Sequence, residues 1–180
     1  LIMGKRSNFE RQPRDYYPTP SQAVEPLIPH LSDYQYFVEP CAGNGALVDA
    51  LESQSHMTCR WLSDIEPQRQ DVMPLDAFDL NETHLQDADC IITNTPWKRD
   101  ILHPMIEHFA SLRPTFLLAD ADWIFTKQSS HFTNRSGLLK MIVAIGRVKW
   151  FGNATGKDNS CWYLFDKNNS SLPKFIGRIA

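Results

Sequence analysis

Glu39, Gly43 and Gly45 stand close together in Glu39-Pro40-Cys41-Ala42-Gly43-Asn44-Gly45. Two positions without a Cβ allow a tight turn and let a ligand approach the backbone ahead of a helix N-terminus, and a carboxylate just before them suits a cation. Val48 occupies the third glycine position of a dinucleotide fingerprint, and no Lys-Ser/Thr pair follows, which excludes a P-loop. Two further carboxylates, Asp64 and Asp76, end later apolar runs. Asn94-Thr95-Pro96-Trp97 then places an amide, an X-Pro step and a tryptophan straight after the apolar run Asp89-Cys90-Ile91-Ile92-Thr93. A strand that stops at an X-Pro step is ordinary, but a tryptophan just beyond it, expected to be partly exposed, is less so. Asp120 and Asp122 read as strand-end acids, because no histidine or third acid falls at ligand spacing. The six histidines form no His-x-x-x-His pattern, and no metal site is expected.

These residues need strands and turns to bring them together. Tyr36-Phe37-Val38 is a short aromatic and β-branched run, followed by the glycine turn and by Ala46, Leu47, Ala50 and Leu51 at helical spacing. Further strands are predicted in "TCRWLSDIEP", "MPLDAFDL", "DADCIITNTPW", "PTFLLADADWIF", "SGLLKMIVAIGRVKWFG" and "NSCWYLFDK", with a helix in "ILHPMIEHFASL". Runs with so little polar alternation belong in a parallel sheet covered on both faces. The expected architecture is a three-layer α/β domain with a mostly parallel sheet, whose ligand edge lies at the strand C-termini where strand order reverses.

A chain of 180 residues is near the size of one domain, and no apolar stretch approaches the length of a membrane span. Residues 1–15 read as a flexible basic arm and residues 16–180 as one compact domain. The opening Leu1-Ile2-Met3 is too short for a signal peptide. Cys41, Cys59, Cys90 and Cys161 are far apart and mostly in apolar runs, as expected of reduced thiols in a cytoplasmic protein. The net charge of -3 hides a strong asymmetry. Residues 1–14 hold four basic residues against one acid, residues 15–122 five against eighteen, and residues 123–180 nine against two. A basic arm and a basic last third are the electrostatic footprint of a phosphate-bearing partner.

The glycine turn with its preceding carboxylate resembles the first motif of Rossmann-like, S-adenosylmethionine-dependent methyltransferases. The resemblance implies that Gly43 and Gly45 make room for the cofactor while Glu39 faces its cationic methionine end. It implies that Asp64 accepts hydrogen bonds from the ribose hydroxyls, a demand that suits an acceptor-only carboxylate, and that Ile65 packs on the adenine. Asp76 falls where the family holds the adenine amino group, with Phe78 as a ring wall. Asn94-Thr95-Pro96-Trp97 is similar to the (Asp/Asn/Ser)-Pro-Pro-(Tyr/Phe/Trp) motif of amino-methyltransferases, which methylate adenine N6, cytosine N4 or a glutamine amide. Thr95 departs from the motif's first proline. The side-chain oxygen of Asn94 and the backbone carbonyl of Thr95 are then the acceptors for the amine hydrogens. Pro96 biases Thr95 toward an extended conformation that aims its carbonyl, and Trp97 stacks on a planar substrate at about 1–3 kcal/mol.

Tyr17-Pro18-Thr19-Pro20 resembles the Thr-Pro motif that closes over the methionine end of the cofactor, which makes Tyr17, Thr19 and Pro20 candidate contacts. The segment from Gly146 to Asp166 is similar to the last strand, loop and strand of small phage-type DNA N6-adenine methyltransferases. In its loop Trp150 and Phe151 are candidates to stack on a flipped base, and Lys149 and Lys157 to meet phosphate. The resemblance spans roughly residues 16–166 and implies a seven-stranded sheet with an antiparallel strand near the C-terminus. The expected activity is methyl transfer from S-adenosylmethionine to adenine N6, with DNA ahead of RNA as partner. Methylation of RNA adenine or of a protein glutamine, and a catalytically silent cofactor-binding subunit, remain alternatives.

Overall fold

The computed structural model describes residues 17–134, 137–150, 156 and 158–178. The basic arm, Phe151 and Lys157 lie outside the described residues.

Among the described residues, eight strands form one sheet in the order β3-β2-β1-β4-β5-β7-β6-β8. They are β1 (Tyr36–Glu39), β2 (Thr58–Asp64), β3 (Met73–Pro74), β4 (Cys90–Thr93), β5 (Thr115–Asp120), β6 (Leu139–Arg147), β7 (Asn159–Phe165) and β8 (Lys174–Ile176). Strand β7 runs antiparallel to both neighbours and every other pairing is parallel. Helices α1 (Ala46–Gln54), α2 (Glu82–Leu85), α3 (Arg99–Leu112) and α4 (Ser130–Thr133) join short 3-10 turns on the two faces.

The alternation of side chains along the central strands builds the layers. Phe37, Cys90, Ile92, Phe116 and Leu118 point to one face, where α1 and the segment Ala23 to Leu31 cover them. Val38 and Ile91 point the other way, to Met105 and Phe109 of α3. Leu117 and Ala119 also face that side, against Leu102 and Ile106. Helix α3 can serve both because Leu102, Met105, Ile106, Phe109 and Ala110 recur at helical spacing and all are buried. Full burial of each large side chain contributes roughly 1.5–3 kcal/mol. Trp162 of β7 is fully buried and donates its indole N–H to the Ala23 carbonyl at 2.7 Å, tying the N-terminal segment to the sheet.

Two expectations change. The sheet has eight strands rather than seven, because Lys174-Phe175-Ile176 pairs in parallel with β6. Its Phe175 is 67% exposed, so the three residues carry no burial pattern to announce a strand. The segment "MPLDAFDL" yields only the two-residue β3, since the Asp76 carboxylate accepts from the Phe78 N–H at 3.0 Å and caps a 3-10 turn over Ala77–Asp79.

Candidate active site

Order reverses between β1 and β4, which are hydrogen-bonded neighbours with Val38 opposite Ile91. Both strands are parallel and end at the same edge, Glu39 closing β1 and Asn94 standing just past the end of β4. A cavity of about 900 Å3 opens there. Of the residues singled out in the sequence, Tyr17, Thr19, Glu39, Gly43, Asp64, Ile65, Asp76, Phe78, Asn94 and Pro96 line it.

Gly43 and Gly45 take left-handed backbone conformations, at φ 53° and 76°. A side chain at either would be strained. Gly45 is not a wall of the cavity. It caps α1, and a Cβ there would run into the guanidinium of Arg69, which is held by Asp49 at 2.7 Å and by Asp71. The glycine loop is fastened from the other side by Asp64, whose carboxylate accepts the Gly43 N–H and the Glu66 N–H, each at 2.8 Å. A carboxylate has about four acceptor sites, so two remain for a diol. Asp64 therefore shapes the loop as well as facing the cavity.

Glu39 is 1% exposed, and burial, reinforced by the negative charge of Asp64, pushes its carboxyl up to about 8. The Cys41 N–H, donating to its Oε1 at 2.9 Å, opposes that shift without cancelling it. A buried carboxyl at the rim of a cavity keeps its proton until a cation arrives beside it. Ile65 and Phe78 contrast with it: they are 59% and 43% exposed, large apolar groups left open on walls of the same cavity. Apolar walls with a few convergent polar groups are the usual make-up of a small-molecule site.

Asn94 is bonded through both ends of its amide. Its Nδ2 donates to the Tyr17 carbonyl and to the Thr19 hydroxyl, each at 3.2 Å, and its Oδ1 accepts from the Trp97 indole N–H at 3.2 Å. That indole N–H is shared with the Leu118 carbonyl at 3.1 Å. Trp97 packs edge-on against Trp150, with ring centres 5.5 Å apart, and Trp150 meets Tyr17 at 6.1 Å. Neither tryptophan lines the cavity itself; they pack behind Tyr17, which does. Thr95 is buried between Asn94 and Pro96 at 2% exposure and is not a cavity wall. Pro20 precedes the 3-10 turn Ser21–Ala23 and is not a cavity wall, and Lys149 is exposed next to Trp150.

Lys98, Ile101 and Met105 also line the cavity and belong to none of the motifs in the sequence. Met105 is 7% exposed and serves core and cavity together, so helical periodicity marks it only as core. Lys98 directly follows Trp97, and its charge was the one available signal. Among the described residues no cluster of histidine, cysteine or acidic side chains could hold a metal ion, and no helix is long and apolar enough to cross a membrane.

This strand order, with β7 reversed between β5 and β6, is the Rossmann-like methyltransferase fold. Among solved structures, a dimethyladenosine transferase from Plasmodium falciparum matches with a TM-score of 0.50 and 14% sequence identity, over 84% of this chain and 62% of that one. At this identity the similarity establishes the fold alone, and the chain spans less than two thirds of that protein's length. No protein-family model and no curated protein matches the chain.

Proposed function

We propose that the protein transfers a methyl group from S-adenosylmethionine to an exocyclic amine, with adenine N6 in DNA as the first candidate. The observation that carries this reading is the meeting of Asn94, Glu39 and Asp64 with the exposed Ile65 and Phe78 in one cavity at the reversal of strand order. The solved structure of similar fold is itself called a dimethyladenosine transferase, which is in keeping with an adenine substrate.

When bound, S-adenosylmethionine would supply an electrophilic sulfonium methyl group for the amine nitrogen, with the C–S electron pair left on sulfur and the nitrogen's surplus proton released to solvent. The chain's own residues do the rest. Ile65 and Phe78 provide apolar surface for the adenine ring, and Asp64 keeps two acceptor sites for the ribose hydroxyls. Glu39 ionises against the cationic methionine end. An exocyclic amine is a poor nucleophile while its lone pair is delocalised into the ring. An acceptor that holds its hydrogens favours a pyramidal nitrogen and stabilises the transition state more than the ground state. Asn94 Oδ1 is that acceptor. A base in a duplex has to leave the stack to reach it, and the basic last third of the chain is suited to holding the backbone meanwhile.

The test is incubation with methyl-labelled S-adenosylmethionine and, separately, duplex DNA, RNA and protein, followed by digestion and identification of the labelled product. Labelled N6-methyladenine from DNA is expected. Label in RNA or glutamine alone would move the substrate, and cofactor binding without transfer to any of them would leave a silent binding subunit.

A further inference from the structure

Thr19 was expected at the cofactor, but its hydrogen bond ties it to the motif that grips the amine. We propose that Thr19, with the Tyr17 carbonyl, is a positioning residue that locks the Asn94 amide in one orientation, holding Nδ2 so that Oδ1 is the end with a lone pair left over. The proposal rests on the reading of Asn94 as acceptor for the substrate amine.

An asparagine amide presents two donors at one end and an acceptor at the other, and the two ends have nearly the same shape. Which end faces a substrate is decided by partners of fixed polarity. The Tyr17 carbonyl accepts and cannot donate, so the atom 3.2 Å from it is Nδ2. The Trp97 indole donates and cannot accept, so the atom 3.2 Å from it is Oδ1. Thr19, 6% exposed, takes the second Nδ2 hydrogen at 3.2 Å. Both amide hydrogens are thereby committed. Trp97 uses one lone pair of Oδ1, and shares that N–H with Leu118, which leaves the other lone pair for a ligand. A flipped amide would set oxygen against the Tyr17 carbonyl and N–H against the indole N–H. The oxygen is therefore oriented before any substrate arrives, at no reorganisation cost during the reaction.

The lock also reads the residue type. The motif that Asn94 resembles admits aspartate, but an aspartate here would point a carboxylate oxygen at the Tyr17 carbonyl 3.2 Å away, where the amide now donates. Asn94→Asp is thus disruptive in this chain in spite of the motif.

The experiment uses the full chain with Thr19→Val, which keeps the shape and removes the acceptor, and Thr19→Ser, which keeps the acceptor. Two quantities are followed: the side-chain amide proton pair of Asn94 in 15N-labelled, cofactor-free protein, assigned by its disappearance in Asn94→Ala, and kcat alongside the S-adenosylmethionine Kd. Thr19→Val should shift one proton of the pair upfield and lower kcat roughly fivefold or more, the scale of one lost hydrogen bond, with Kd unchanged. Thr19→Ser should restore both. An unmoved amide pair, or a loss confined to Kd, would overturn the proposal and return Thr19 to the cofactor. A wild-type chain that transfers no methyl group overturns the underlying functional reading instead. The two failures are told apart by the amide pair, which reports the hydrogen bond without any reaction.

Discussion

Affinity for S-adenosylmethionine should climb steeply with pH, and Glu39 sets the slope. Its carboxyl titrates at about 8 because it is buried at 1% exposure beside Asp64. Cofactor with a cationic methionine end is bound best by the ionised form, which makes up about 1% of the protein at pH 6, about 9% at pH 7 and about half at pH 8. Apparent affinity scales with the competent fraction, so Kd should fall roughly tenfold from pH 6 to 7 and about fivefold from pH 7 to 8. Binding near pH 7 should release about one proton per cofactor, since a group that is mostly protonated becomes ionised in the complex. Calorimetry in buffers of different ionisation enthalpy reads both quantities in a single series. Glu39→Gln keeps an acceptor for the Cys41 N–H and loses the charge, so its affinity should be weaker and flat across the range. A wild-type Kd that does not move with pH would refute the reasoning, as would a steep dependence that survives in Glu39→Gln.

Two other outcomes follow from the geometry. Thr95 is 2% exposed and its hydroxyl finds no hydrogen-bond partner among the described residues. Thr95→Val should therefore raise stability by on the order of 1 kcal/mol, read as a higher Tm, because a buried unsatisfied hydroxyl is removed without a change of shape; a lower Tm would mean that the hydroxyl is in use. Phe78 is 43% exposed on a cavity wall. Phe78→Ala should weaken S-adenosylmethionine by roughly 1–3 kcal/mol, the scale of ring stacking, with little change in Tm, and an unchanged Kd would place the adenine elsewhere.

How much of this was visible in the linear chain depends on the range of the interaction. The order of the motifs was legible because each follows a strand with an unambiguous apolar run, and an open α/β sheet delivers strand ends to one edge. Glu39, Asp64 and Asn94 stand at such strand ends, and the structure brings them to one cavity. Second duties carried by long-range hydrogen bonds were not. Asp64 bonds to Gly43 across 21 residues and Asn94 to Thr19 across 75, and neither pairing leaves a local pattern. Gly45 looked like a cofactor glycine, but its missing side chain makes room for Arg69, a contact set by the fold of the following loop. Strand β8 escaped notice because edge strands of three residues with an exposed phenylalanine lack the burial that creates a pattern.

If Asn94 acts on the amine and not on the cofactor, Asn94→Ala and wild type separate in two assays. Equilibrium Kd for S-adenosylmethionine should stay close to the wild-type value, while single-turnover methyl transfer should fall by on the order of a hundredfold or more, the scale of removing one preorganised hydrogen-bonding group from a transition state. Retained turnover in Asn94→Ala, or a loss explained wholly by weaker cofactor binding, would contradict the account.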